Sequence, residues 1–500
     1  MKRFLSVILS MLLLLGCLCS TVSCNKKNDK EHKKNDKEQV DTKFNTSTAE
    51  DDLGEFSKLS NYDFEGREIT ILAREQFAYE IAPDESAGDS MDQLIYRRNG
   101  MVEEKYNVNL SVELLPGAYV NRNEYKERIL AVVESAGACD YDIISGAQNQ
   151  FCVYVTEGLF ANLHANQGID FDNPWWFDGY VDNMTLNNKL YLTVGDVGVT
   201  LLENMNVFAF NKTLFSQNGI EYPYELVRND QWTLENLNEI TKNYACIDLN
   251  RNDLTDSEDS FVLCGGGASL RSVPTSFDIK ITSPDDMGLP EITMYNDRTL
   301  EIMEDFQSML VRNSRAYFKD VDDDGSEASP VKIFSENRSL LISTLMYDVK
   351  TIRNSEVEFG IVPFPKYNTA QENYYTHVYE TLSVYAIPVN AGSQYESGLI
   401  LEAMGAASYD YVTEEYFENV ISLRNSHDSD SMEMLAIARK NISFNFGAVH
   451  SAALGDIGAV FDNMKLGNYN LSNRWDTSEE SWNIALGRLL DKYLAMDETK

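Results

Sequence analysis

The sequence predicts an α/β protein of two or more lobes built around mainly parallel sheet. Three observations lead there. Its 500 residues exceed one typical domain. With 43% hydrophobic and 11% aromatic residues, the chain can bury a large core. From Glu68 onward, strand-like and helix-like patterns alternate, which implies βαβ crossovers.

The elements follow in order. Ile69, Ile71 and Leu72 give a short buried strand. Residues 90–106 read as a helix, with Leu94, Ile95, Met101, Val102 and Tyr106 on one face. Val108, Leu110, Val112 and Leu114 alternate as in a half-buried strand. Residues 122–136 return to helix, and Tyr141-Asp142-Ile143-Ile144-Ser145 forms a third strand. Such crossovers are right-handed by default, and ligands of open sheets sit outside the carboxyl ends of the strands. Glu75 to Tyr79, after the first strand, and Gln148-Asn149, after the third, are therefore expected on a ligand-facing edge.

The first residues carry a separate signal. Lys2 and Arg3 precede an apolar run over residues 4–15, too short to span a membrane comfortably, and small residues lead to Ser23-Cys24 before the sequence turns polar. This is the pattern of a bacterial lipoprotein signal, cut before a cysteine that then carries acyl chains and anchors the protein without spanning the membrane. Cys24 is assigned as that residue because Asn25-Lys26-Lys27 begins a polar tether at once. Cys17, after Leu14-Leu15-Gly16, matches the cleavage motif more closely and stays an alternative. Residues 1–23 are then the signal peptide and 24–58, almost devoid of apolar side chains, a flexible tether.

A formal charge of −37 argues against nucleic-acid partners and against adsorption on anionic lipid. Past the signal, Cys139, Cys152, Cys246 and Cys264 form no CxxC or Cys/His pattern, so zinc is not expected. Cys246 and Cys264 flank one acidic loop and are open to either a bridge or free thiols. No Walker loop, GxGxxG, GxSxG or HExxH motif occurs, and no carboxylate pair is singled out for hydrolytic chemistry.

Several later segments resemble the extracellular solute-binding proteins of ABC importers, specifically the large sugar-binding family that includes maltose-binding protein. Asn188-Lys189-Leu190-Tyr191-Leu192-Thr193-Val194-Gly195 is similar to that family's strand leading into the first crossing between lobes. FAFNKTLFSQNGIE (208–221) and QWTLENLNEITK (231–242) follow in the family's order, with Thr233 placed to cap the second helix. FSENRSLLISTLMYDVKTIRNSEVEFGIVPFP (334–365) and LSVYAIPVNA (382–391) resemble the stretch up to and including the second crossing, and a helix resumes near Tyr395.

The resemblance implies a two-lobed, hinge-linked periplasmic-binding-protein-like fold of type II. Lobe 1 would be residues 59–197 and 384–446; lobe 2 would be 198–383 and 447–500. It also implies a monomeric, non-enzymatic protein at the extracytoplasmic face of the cell membrane. There it would close on a carbohydrate, an oligosaccharide above all, and deliver it to a membrane permease. The alternatives are a surface glycan-binding or sensory lipoprotein uncoupled from transport, and a binding protein for another small solute such as a peptide.

Two acidic loops invite calcium. In DLNRNDLTDSED (248–259), Asp248, Asn250, Asn252, Asp256 and Asp259 fall at positions 1, 3, 5, 9 and 12, with the Leu254 carbonyl at position 7. Asp253 stands where glycine usually makes the sharp turn. KDVDDDGSE (319–327) opens similarly with Asp320, Asp322 and Asp324, but Val331 occupies the closing position. The expected role for Ca²⁺ is structural.

Sugar sites combine aromatic platforms with polar side chains. The candidate platforms are Trp175, Trp176, Tyr347 and Trp475; Trp232 is assigned to packing. The polar candidates are Glu75, Gln148, Asn149, Glu203, Asn204 and Asp348, all on loops or crossings. His377, ahead of the second crossing, is expected at the hinge or in a structural role.

Overall fold

The computed structural model describes residues 54–84, 90–135, 137–319, 328–421 and 428–496. The signal peptide, Cys24, almost all of the tether, and Asp320 to Glu327 of the second acidic stretch lie outside them. The described residues belong to one compact unit. No helix among the described residues is long and apolar enough to cross a membrane.

Two sheets organise the body. The first contains β1 (Glu68–Arg74), β2 (Asn109–Leu115), β3 (Ile143–Ala147) and the late strand Ser383–Ala386, in the order late strand, β3, β1, β2. β1 pairs parallel with β2 and β3, while the late strand runs antiparallel to β3. Burial follows from this order. Central β3 is buried throughout, whereas β2, at the edge, is half-buried along most of its length. Helices Ser90–Tyr106 and Arg122–Val133 make the crossovers.

The second sheet contains β4 (Asn206–Asn211), β5 (Phe261–Gly265), β8 (Ala316–Phe318), β9 (Ser339–Leu345) and β10 (Phe359–Val362), in the order β10-β4-β9-β5-β8. The short strands Thr282–Pro284 and Pro290–Ile292, numbered β6 and β7, pair separately, so the late strand of the first sheet is β11. β9, β5 and β8 are parallel, and β4 is antiparallel to both its neighbours. Local sequence starts the helices here. Asn211, Thr233, Asn296 and Ser329 each accept the N–H of a first-turn residue, and Pro330 follows Ser329 at the start of its helix.

Two chain segments cross between the sheets side by side, and a third lies along them. Met205 pairs with Val378, and Thr376 pairs with Ile442. The Asn206 N–H donates to the His377 carbonyl (2.9 Å) and the Tyr379 N–H to that of Asn204 (2.9 Å). The crossings around residues 205 and 377 thus form a narrow ribbon, flanked by residue 442, on which two lobes can hinge.

Two boundaries differ from those expected. Residues 54–58 are part of the folded body: helix Glu55–Lys58 buries Phe56, and the Asp410 carboxylate accepts the N–H groups of Glu55 and Phe56 (3.2 and 2.9 Å). A carboxylate supplied by a distant helix satisfies donors that this short turn leaves unpaired. Helix Ser429–Lys440, expected in lobe 1, packs instead on β10, where Ser431 Oγ accepts the Ile361 N–H (2.9 Å). The chain leaves the first lobe after helix Gln394–Tyr411, which packs on helix Ser90–Tyr106, where Arg98 donates to Ser408 Oγ (3.1 Å).

Candidate binding site

The parallel strands of the second sheet end together, and a cleft of about 460 Å³ opens there. Gly266, Gly267 and Ser269 line it after β5, and Lys319 after β8. Ser343, Thr344 and Leu345 come from the end of β9, and Asp348 and Thr351 from the helix that follows, Met346–Arg353. Tyr379 reaches it from the crossing ribbon. The volume lies within the roughly 300–1,000 Å³ usual for small-molecule clefts.

A second cavity of about 270 Å³ shares Gly267, Lys319 and Tyr379 and adds Leu270, Arg271, Phe318, Asp462 and Lys465. Arg271 organises its far wall. Its Nε lies 2.8 Å from each Asp462 oxygen, its Nη1 3.1 Å from Asp456, and Glu380 approaches to 3.8 Å. Burial works to lower the guanidinium's pKa, but Asp462, Glu380 and Asp456 together hold it above its ordinary value. Burial raises the carboxyl groups of Glu380 and Asp462, with Arg271 opposing. Burial also raises Asp348, opposed by a hydrogen bond from Thr344 Oγ1 (3.0 Å). Hydroxyls, carboxylates, glycine backbone and two aromatic rings make a lining suited to exchanging hydrogen bonds with a polyhydroxylated solute.

No family model matches the chain. Over 136 residues it is 27% identical to a carbohydrate ABC transporter substrate-binding protein of Streptococcus pneumoniae serotype 4, a match covering 27% of this chain and only 25% of that protein. The folded body also superposes on solved structures. One is the ABC substrate-binding protein from Listeria monocytogenes in complex with cycloalternan, with a TM-score of 0.52 and 14% identity, covering 84% of this chain and 99% of that one. Another is the GacH receptor of Streptomyces glaucescens GLA.O, solved unliganded and with acarbose, with a TM-score of 0.50 and 12% identity over 85% of this chain and 98% of that one. A cyclo/maltodextrin-binding protein complexed with maltotetraose gives 0.51 and 13% over 86% and 98%. The fold is that of the type II ABC sugar-binding proteins.

Within this binding-protein fold, the structure sorts the expected site residues. Asp348 lines the cleft, and Tyr347, one residue earlier, is 54% exposed. Glu203 and Asn204 lie in the first crossing, both buried. Tyr79 Oη donates to Glu203 Oε2, and Lys350 Nζ donates to Glu203 Oε1 at 2.9 Å. Asn204 accepts from Thr381 Oγ1 (3.1 Å) and donates to the Thr200 carbonyl (2.9 Å). Gln148 borders a gap of about 20 Å³ with His377 and Glu380, too small for a ligand. Asn149 adjoins it, donating its N–H to the Glu380 carbonyl (3.1 Å). These two residues and His377 therefore belong to the hinge. Glu75 is exposed at the end of β1 and borders neither cleft.

Two of the candidate tryptophans are core residues rather than platforms, and Trp475 is half-buried. Trp175 and Trp176 are 1% and 3% exposed, sealed against helix Gln394–Tyr411. Trp176 Nε1 donates to Glu402 (2.8 Å), and the absence of a side chain at Gly405 leaves room for the Trp175 ring. Trp475 stacks on Tyr295 at 4.8 Å and packs near Trp482. Trp232 is fully buried, its Nε1 donating to the Pro363 carbonyl (2.9 Å), as its packing role requires. Arg271, Tyr379, Asp462 and Lys319 were not anticipated. The one sequence signal for this wall is the run Gly265-Gly266-Gly267 at the carboxyl end of a strand, which lets another chain or ligand approach closely.

The loop Asp248–Asp259 folds on itself. Asp248 accepts the N–H groups of Asn252 and Asp253 (3.2 and 2.9 Å), and Asp253 takes the left-handed turn at φ 60°. Asp256 receives the side-chain amides of Asn250 and Asn252, and Asp259 accepts from the N–H groups of Leu249 and Asp256. The Glu258 N–H and those two amides hold the Asp256 carboxyl below its ordinary value. Among the described residues, no group of three or more His, Cys, Asp or Glu side chains is arranged to hold a metal. Cys246 and Cys264 are free thiols.

Proposed function

We propose that this chain is the substrate-binding component of an ABC importer, capturing an oligosaccharide by closure of its two lobes and handing it to a membrane permease. The carrying observation is a hydroxyl- and carboxylate-lined cleft beside the paired crossings between the sheets. It occurs in a fold whose relatives hold cycloalternan, acarbose and maltotetraose. The protein performs no chemistry on its ligand. The lipoprotein signal supports a lipid on Cys24 that holds the protein at the extracytoplasmic face of the cell membrane. The loop at Asp248 offers oxygen ligands from Asp248, Asn250, Asn252, the Leu254 carbonyl, Asp256 and Asp259 for a structural Ca²⁺, provided the two Asn amides turn their oxygens inward.

A thermal-shift screen against oligosaccharides and peptides tests the ligand class. A ligand at about a hundred times its Kd adds roughly 2.7 kcal/mol of stability. Stabilisation by an oligosaccharide without turnover is expected. Stabilisation by peptides alone, or hydrolysis of the sugar, would refute the reading.

A further inference from the structure

One late helix is fastened to both lobes. Helix Leu471–Ala495 runs 25 residues, about 37 Å at the usual rise per residue. Its start is fixed to the second lobe. Just ahead of it, the Gln307 side chain accepts the Tyr469 N–H (2.9 Å) and donates to the Tyr469 carbonyl (3.1 Å). Trp475 then stacks on Tyr295 at 4.8 Å, and Trp482, two turns later, is buried.

Its end is fixed to the first lobe instead. Tyr493 meets Tyr191 edge-on at 5.9 Å, and Lys492 Nζ lies 3.5 Å from Thr156 Oγ1. Lys189, only 4% exposed, donates its ammonium to the Met496 carbonyl at the close of the helix. Thr156 follows helix Gln148–Tyr154, and Lys189 and Tyr191 precede the first crossing, so all three belong to the first lobe.

The two ends are held differently. Buried aromatic surface secures the start, whereas the end depends on one buried charge. An ammonium taken out of water needs an acceptor, and the last carbonyls of a helix, at the negative end of its dipole, suit it well. A rigid helix pinned at both ends cannot absorb a change in the angle between the lobes, so one end has to give. The polar end is the weaker. Among the described residues, both cavities take their walls from the second lobe and the crossing ribbon, and none from the first lobe, so the present arrangement is the unclosed one.

We propose that helix Leu471–Ala495 is a strap that holds the lobes apart, and that Lys189 is the clip that lets go when they shut on ligand. The proposal rests on the closure reading and adds to it the element that opposes closure. A contact made only in the unclosed state depletes the closed state and lowers the apparent affinity by the same factor.

The test compares the wild type with Lys189→Met, which keeps the aliphatic stem and removes the donor, and with Thr156→Val, a milder release of the same end. Glu479→Gln, on an exposed turn of the helix, is the control. The readouts are the Kd for maltotetraose by calorimetry and the radius of gyration of the unliganded protein. Lys189→Met should tighten Kd roughly tenfold and Thr156→Val about threefold, both with a smaller unliganded radius, while the control matches the wild type. A lowered melting temperature with wild-type Kd and radius would make Lys189 a stabilising contact only and overturn the strap; weaker binding would overturn it too. If Lys189→Met does not fold, Thr156→Val decides by the same criteria. If maltotetraose fails to bind the wild type, the carbohydrate reading loses that sugar, and the strap stands or falls on the radius alone: contraction supports it, an unchanged radius refutes it.

Discussion

Glu203 takes its two donors from opposite lobes, Tyr79 from the first and Lys350 from the second, although the carboxylate itself is almost wholly buried. Replacing it with Gln removes the charge that Lys350 pairs with and leaves a buried amide beside two donors. Glu203→Gln should therefore lower unfolding stability by about 1–3 kcal/mol in urea titrations; an unchanged midpoint would show that the link is incidental. His377 gives a pH signature at the same hinge. Burial, with nearby Arg271 adding to it, pushes its pKa down to about 4 from the ordinary 6.5. The folded state thus holds the neutral ring and the unfolded state binds the proton more readily. Its contribution is fully present above pH 6.5 and is lost as pH falls towards 4, at up to about 1.4 kcal/mol per pH unit. His377→Asn should flatten the acid side of the stability–pH curve across that window; an identical slope would contradict the buried, neutral ring. Site residues were legible where position alone decides. Asp348 follows a strand and starts a helix, and any such residue faces the carboxyl edge. Trp175 and Trp176 misled because an aromatic side chain suits a core as well as a platform, and only the small residues of a helix more than 200 positions away settle which it is.

At the scale of elements, the legible parts were those with local periodicity. Helix Ser90–Tyr106 spans the expected residues, and β1, β2 and β3 lie within two residues or so of where the alternation put them. Residues 429–440 fell within the lobe 1 that the resemblance implied, because an ordered set of segments that ends near Tyr395 does not report which sheet a later helix covers. Its position is fixed by distant partners. Arg439 Nη2 lies 3.0 and 2.7 Å from the two oxygens of Asp196, whose side chain is entirely buried in the loop before the first crossing. This pair ties a helix packed on β10 to the first lobe. Arg439→Met should cost about 3–5 kcal/mol, because it leaves a buried carboxylate without its partner. Asp196→Asn in the same background should restore part of the loss, whereas an Arg439→Met variant as stable as wild type would mean the pair carries no weight.

The whole molecule joins two sheets through a narrow ribbon and carries a formal charge of −37. The acidic loop at Asp248 adds to that charge. Adding CaCl₂ should raise the melting temperature and EDTA should reverse the gain, while Asp248→Asn with Asp256→Asn should abolish it; a wild type indifferent to calcium would assign the loop to its own hydrogen bonds. The two-lobed plan was legible only through the ordered set of segments from Asn188 to Tyr395, since no single strand or helix encodes how many lobes a chain makes. The central claim is that an oligosaccharide closes the lobes. Small-angle X-ray scattering, with and without a saturating oligosaccharide that stabilises the protein, tests it most directly. The account predicts a smaller radius of gyration with the sugar bound. Saturated binding with an unchanged scattering curve would contradict closure as the means of capture.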